Sequence, residues 1–282
     1  MDERVYWIWI QHGFGEGSPM PWRIHQSWPG GVRGFYEDGP RAWNSMPSIR
    51  EKEAAALYSF SLEEAQAQLE YAERVNWQVI TPECEKYPLA LRNIFDPPAV
   101  LYGKGSLPDV DRQPTIAVVG ARKAQKVSEE KAKEFSYQLA IGGAAVVTGG
   151  AVGIDAAAIL GAMSGEGPVV SVLPVALNSS YPSRNAFLRQ SLLERGGALL
   201  TEYFSQQTPS YGTFQVRNRL ITGLACGVLL LQAAQKSGTM LYAAHAKDQN
   251  RDVFVWPGAP GDAAFAGGRG LIEDGAKAVE RG

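Results

Sequence analysis

Residues 144–163 read AAVVTGGAVGIDAAAILGAM. The apolar run Ala144–Thr148 meets the glycine-rich turn Gly149-Gly150-Ala151-Val152-Gly153, and an apolar helical stretch, Ile154–Met163, follows. A short continuous apolar run bounded by glycines reads as a strand covered on both faces. A bare glycine turn opening a helix leaves backbone N–H groups unshielded, which makes an anion site. The pattern repeats outward from this segment. Apolar runs at Thr115–Val119, Val169–Leu173, Ala198–Thr201, Val228–Leu231 and Val253–Val255 alternate with helical stretches at Glu129–Ile141, Asn185–Glu194 and Gly238–Gln249. Alternating strands and helices imply an α/β fold, an extended Rossmann-like, doubly wound and mostly parallel sheet. In such sheets ligands bind beyond the carboxyl ends of the strands.

The residues just after each run therefore carry the functional reading. After the first comes Gly120-Ala121-Arg122, where glycine permits a tight turn and the arginine is either a planar phosphate donor or a surface residue. After the second, Gly149, Gly150 and Gly153 form the expected phosphate cradle. Asp155 then sits near a helix start, as a cap or as a ligand contact. The spacing matches neither the dinucleotide fingerprint nor a P-loop. Tyr181-Pro182-Ser183-Arg184-Asn185 follows the third run, with Tyr181 either stacking on a base or packed into its loop. The segment Phe214-Gln215-Val216-Arg217-Asn218-Arg219-Leu220-Ile221-Thr222-Gly223-Leu224 places two arginines just before an apolar helix. Two residues apart, they point in different directions from a regular helix. Ser237-Gly238-Thr239 opens a second possible phosphate nest, and Trp256-Pro257-Gly258 follows the last run.

The 282 residues carry 27 Lys plus Arg against 29 Asp plus Glu, a formal charge of -2, which excludes a histone-like basic protein. The charge is uneven. Residues 1–110 hold 10 basic and 15 acidic side chains, and residues 111–282 hold 17 and 14. The glycine-punctuated second part is where an anionic partner is expected. Two cysteines, Cys84 and Cys226, make neither a disulfide framework nor a zinc site, and a cytoplasmic location is expected. The run Val5–Ile10 is too short to cross a bilayer, so no membrane partner is expected. Residues 1–75 read as a small, mainly helical N-terminal region, rich in Trp, Pro and Gly up to about residue 48, with a capping box at Ser61 and Glu64. Residues 76–282 read as the Rossmann-like domain with its lead-in segment.

No catalytic constellation is legible. His12, His25 and His245 show no metal-ligand spacing, and Ser237 lacks a nucleophile elbow. Asp155, Glu202, Glu273 and Asp274 form no readable pair. Donors and glycines suit the binding of a polyanion, so neither enzyme activity, nor a cofactor, nor a metal is expected.

Taken together, Gly120-Ala121-Arg122, the Thr148–Asp155 turn, Tyr181-Pro182 with Asn185, Thr201-Glu202, the Arg217–Leu224 segment, Ser237-Gly238, Pro257-Gly258 and Leu271–Ala276 resemble the DNA processing protein A (DprA/Smf) family. The lead-in Tyr87-Pro88 through Pro97-Pro98 and Leu101–Gly105 is also similar, so the resemblance covers roughly residues 80–280. It implies a single-stranded DNA-binding protein that protects incoming DNA in natural transformation and helps load a RecA-type recombinase. It also implies a homodimer without a catalytic reaction. By motif, Arg122, Gly149, Gly150, Gly153, Arg217 and Arg219 would line the DNA groove. With the strand-end reading, the expected DNA- or phosphate-binding set adds Gly120, Arg184, Asn218, Ser237 and Gly238. This chain has Gln232-Ala233 where the family commonly has Glu-Ala, and Arg269 where an asparagine is common. It stops at Gly282, so the winged-helix-like domain of many members is expected to be absent.

Two rival readings differ in class. One is a nucleotide-processing enzyme of the nucleoside-monophosphate phosphoribohydrolase (lysine-decarboxylase-like) type. Those enzymes carry Pro-Gly-Gly-x-Gly-Thr-x-x-Glu, and the nearest string here, Ser237-Gly238-Thr239, lacks the glutamate. The other is a dinucleotide oxidoreductase, which requires a glycine fingerprint and a strand-end acid, whereas positions 148 and 149 are Thr and Gly.

Overall fold

A computed structural model describes residues 1–206 and 208–280. The final two positions of the 76–282 reading, including the Gly282 terminus, lie outside them. The chain divides into two compact units, residues 1–87 with 95–103, and residues 88–94 with 104–282.

The first unit is built around an apolar helix. α1 (Glu3–Phe14) is capped by Asp2, whose carboxylate accepts the Arg4 N–H at 2.9 Å. Residues Val5 to Ile10 are all buried, so α1 is apolar on every side and forms the centre of its unit. That is why no amphipathic period is readable there. α2 (Met20–Ser27) begins with Pro21 in its first turn, where a missing N–H costs nothing. α3 (Gly31–Ser45) is kinked at Gly39-Pro40. α4 (Glu51–Ser59) and α5 (Leu62–Arg74) follow, α5 opened by the Ser61–Glu64 capping box. The core of the unit holds Trp7, Trp9, Phe35 and Trp43. The indole N–H of Trp9 donates to the Leu57 carbonyl at 3.2 Å, and that of Trp43 to the Phe35 carbonyl at 2.6 Å.

β1 (Gln78–Ile80), the short α6 (Leu89–Arg92) and β2 (Leu101–Gly105) come next. β1 pairs antiparallel with β2, Val79 opposite Tyr102. The lead-in segment is therefore divided. Its hairpin strands belong to the first unit up to Gly103, and α6 to the second. The boundary read from the sequence, at residues 75/76, falls just ahead of this hairpin.

The second unit repeats strand and helix: β3 (Thr115–Val119), α7 (Lys126–Ile141), β4 (Ala145–Thr148), α8 (Ile154–Ser164), β5 (Val169–Val172), α9 (Ala186–Glu194), β6 (Ala198–Thr201), α10 (Tyr211–Gly223), β7 (Gly227–Leu230), α11 (Met240–Asp248), β8 (Asp252–Val255), α12 (Ala266–Glu273) and β9 (Lys277–Ala278). Its strands run in the order β6-β5-β4-β3-β7-β8-β9 and pair in parallel. β3 to β7 are almost wholly buried, as continuous apolar strands between two helical layers must be. The chain winds outward from β3 to β6, then returns to lay β7 on the other side of β3. The order reverses at the β3–β7 pair, and the crevice beyond its carboxyl end is the expected ligand position. The α/β, mostly parallel, Rossmann-like reading holds.

The α10 helix starts earlier than expected. Arg217, Asn218 and Arg219 lie inside α10 rather than ahead of a helix. Ser210 caps that helix early, accepting the Thr213 N–H at 3.3 Å.

Candidate functional site

An open cleft of about 610 Å³ lies at the switch point, walled by the turns after β3 and β4, by α10 and by the start of α11. From the turn after β3 come Gly120 and Arg122. From the β4–α8 turn come Ala151 and Asp155. α10 gives Tyr211, Phe214, Gln215, Arg217 and Asn218, and the α11 entry gives Ser237, Gly238 and Tyr242. Helical geometry explains the α10 contribution. Positions 211, 214, 215 and 218 follow i, i+3, i+4 and i+7, one face of the helix.

Backbone conformation sets the cradle. Gly153 precedes α8 at φ 82°, where a side chain would be strained and would strike the Ala121 and Arg122 carbonyls. At Gly149 the demand is for space, because a Cβ there would run into the Arg217 Nη1 and lie 2.6 Å from the Asp155 Oδ2. The carbonyl of Gly150 accepts the Asn185 Nδ2–H at 2.9 Å, which pins the turn from behind.

The cleft's electrostatics centre on three groups. The Arg122 guanidinium lies over the Phe214 ring, 4.0 Å from its centroid, and is otherwise exposed to incoming anions. Arg217 is 2% exposed, 5.6 Å from the same ring, and its buried Nε and Nη1 have no hydrogen-bond acceptor. A buried guanidinium short of acceptors is costly unless something supplies them. Asp155 is 4% exposed, and its Oδ2 accepts the Ala151 N–H at 3.3 Å. Burial pushes its carboxyl above the usual range, opposed by Arg217, the Ala151 N–H, Arg122 and the Gly149 N–H. The Tyr242 hydroxyl, also buried, is pushed up to about 12 and so remains a neutral donor.

Of the residues expected from sequence, Gly120, Arg122, Arg217, Asn218, Ser237 and Gly238 line this one cleft, and Gly149, Gly150 and Gly153 form the turn behind it. Arg219 and Arg184 are not brought there. Arg219 donates from Nη2 to the Glu202 Oε1 at 2.8 Å, with both side chains 2% exposed. A two-residue step turns a side chain by about 200° around a helix, so Arg217 facing the cleft sends Arg219 inward. Glu202, which had no role in the sequence reading, is its counter-ion. Arg184 is exposed on the short turn Ser183–Asn185, away from the lining. Asp155 makes no side-chain cap at its helix start; its carboxylate serves the Gly149 turn and faces Arg217 instead. Tyr211 and Tyr242 were missed. The spacing of Tyr211 from Phe214 was the available signal, once the helix start is set at Ser210.

The chain is 36% identical over 225 residues to Protein Smf of Escherichia coli, covering 80% of this chain and 60% of that protein. It is 32% identical over 195 residues to the DNA processing protein DprA of Bacillus subtilis, covering 69% and 65%. It spans 54–60% of the length of the Smf proteins of Escherichia coli, Synechocystis and Borreliella burgdorferi. The crystal structure of DNA processing protein A from Streptococcus pneumoniae superimposes with a TM-score of 0.81 at 25% identity, covering 97% of this chain and 93% of that one. A structure of DNA processing protein A from Helicobacter pylori, which describes that protein's single-stranded DNA binding mode, gives 0.65 at 29% identity, covering 72% and 90%. The family model for DNA recombination-mediator protein A matches residues 78–282, so it spans the whole parallel sheet and every wall of the cleft, and the chain belongs to that family.

Proposed function

We propose that the protein binds single-stranded DNA in the switch-point cleft, through phosphates held by Arg122, Arg217 and the Gly149–Gly153 turn. The carrying observation is the convergence of those groups in one open cleft, with the unsatisfied, buried Arg217 at its base. Tyr211, exposed on the same helix face, offers a ring beside the phosphate donors, a combination that binds single strands with little base preference. The Helicobacter pylori relative's single-stranded DNA binding mode supports the same reading. In this reading the protein works as a homodimer, protects incoming DNA and assists a RecA-type recombinase during natural transformation, in the cytoplasm. Among the described residues no helix is long and apolar enough to cross a membrane.

The reading includes no chemical turnover. Hydrolysis requires a water activated by a general base, and the single carboxylate lining the cleft among the described residues, Asp155, lies against Arg217. Purified protein is expected to show no phosphoribohydrolase, nuclease or ATPase activity. Turnover lost in Asp155→Asn would instead favour the nucleotide-processing enzyme. A gel shift comparing single-stranded with duplex DNA across a salt series tests the binding itself. Tighter binding to duplex, or binding indifferent to salt, would count against the reading.

A further inference from the structure

The charged groups lining the cleft among the described residues are Arg122, Arg217 and Asp155, two cations and one carboxylate. Arg217 comes from α10, Arg122 from the turn after β3, Tyr242, neutral, from α11, and the N–H groups of Gly149 and Ala151 from the turn that Asp155 follows. Arg217 Nη1 and Asp155 Oδ2 crowd the same face of Gly149, so an anion reaching this arginine also meets the carboxylate. The site therefore offers one net positive charge to its ligand. Internal phosphates of a nucleic-acid strand carry one negative charge each, whereas a phosphomonoester carries close to two above its second pKa of about 6.

We propose that Asp155 is a specificity-determining residue that limits the cleft to singly charged phosphates, so that it selects phosphodiesters and rejects phosphomonoesters. The proposal rests on the nucleic-acid reading above and names the phosphate class that the site takes. Repulsion between Asp155 and a second phosphate charge is weakly screened in this buried wall. A dianion meets that repulsion unless a proton is taken up by Asp155 or by the phosphate, and burial, which holds the carboxyl above its usual range, favours uptake at Asp155. Free mononucleotides then compete poorly with the strand.

The test uses two ligands that differ by one charge, thymidine 5′-monophosphate and its methyl ester. Their affinities are measured by calorimetry or by displacement of a labelled oligothymidylate without terminal phosphate. At about pH 8 the wild type is expected to bind the ester roughly tenfold or more tightly than the monophosphate, and at about pH 5 the gap should nearly close as the monoester loses its second charge. In Asp155→Asn the gap at the higher pH should shrink to within about threefold or reverse. Wild type that binds the monophosphate at least as well as the ester at the higher pH overturns the proposal. So does failure to bind either mononucleotide, or a folded Asp155→Asn protein that keeps the wild-type ratio. If the variant does not fold, the wild-type pH series decides alone. Discrimination between the two mononucleotides without oligothymidylate binding would sink the nucleic-acid reading and leave this proposal standing. Oligothymidylate binding without discrimination would do the reverse.

Discussion

The aromatic core of the first unit and the cleft wall of the second treat buried polar groups in opposite ways. In the core, Trp9 and Trp43 are nearly inaccessible, and each indole N–H finds a backbone carbonyl. In the wall, Arg217 and Asn218 are just as deeply buried, yet Arg217 Nε and Nη1 and Asn218 Oδ1 lack hydrogen-bond partners. Satisfied polar groups inside an apolar cluster serve the fold. Unsatisfied ones in the wall of an open cleft stand where a ligand can complete them. Within α10 the difference is one of ion pairing: Arg219 is paired with Glu202 away from the cleft, whereas Arg217 shares its cleft with one carboxylate and a second arginine.

Substitutions in the aromatic core or at the Arg219–Glu202 ion pair should break the fold. Arg219→Ala leaves Glu202 as a buried charge without its ion-pair partner and is expected to cost about 3–5 kcal/mol in chemical unfolding. Trp9→Ala empties a fully buried site and is expected to cost a similar amount, about 3–5 kcal/mol. If Arg219→Ala unfolds like wild type but loses DNA binding, the division between the two arginines is wrong.

Substitutions in the cleft should weaken binding and cost less stability than Arg219→Ala, since Arg122 stays beside Asp155 when Arg217 is removed. Arg217→Ala and Arg122→Ala each remove a charged phosphate donor, about 1.5–3 kcal/mol of affinity, or roughly a ten- to hundredfold rise in Kd by fluorescence anisotropy. Asp155 links the two measurements. Its carboxyl is raised in the folded protein, so the folded state holds the proton more readily than the unfolded chain. The cost of its ionised form is therefore present above the folded pKa and is relieved as pH falls through it toward the unfolded value of about 3.9. Asp155→Asn is expected to unfold at a higher temperature than wild type on the alkaline side, with the difference closing as pH falls. A difference that widens on acidification would reverse the sign assigned to Asp155. The smallest effect is expected at Arg184, which is exposed outside the cleft. Arg184→Ala should shift Kd by less than about twofold, the scale of a surface charge.

Strands β3 to β8 were legible because each contains a short apolar run closed by glycine, proline or a polar turn, a signal contained within a few residues; β9, two exposed residues at Lys277–Ala278, carries no such run. The first three helices were not. α1 is apolar all round and so has no period, and α3 is interrupted by Gly39-Pro40. The cleft was legible as far as strand ends reveal it, which is why Arg122, Ser237 and the Gly149 turn were found. The separate fates of Arg217 and Arg219 depend on a helix start at Ser210 and on Glu202 at the end of another strand. Asp155 looked like a cap because helix starts favour carboxylates. Its actual neighbour, Arg217, comes from a distant helix, and only the fold brings the two together.

The central claim is that the unsatisfied arginine in the cleft waits for the phosphates of a single strand. The most direct test is the salt dependence of oligothymidylate binding to wild type and Arg217→Ala. Each phosphate neutralised on a single strand contributes about -0.7 to the slope of log K against log salt. The account predicts a clearly negative slope for wild type and a slope shallower by about 0.7 for the variant, with both proteins folded. Parallel slopes with equal affinities would contradict it.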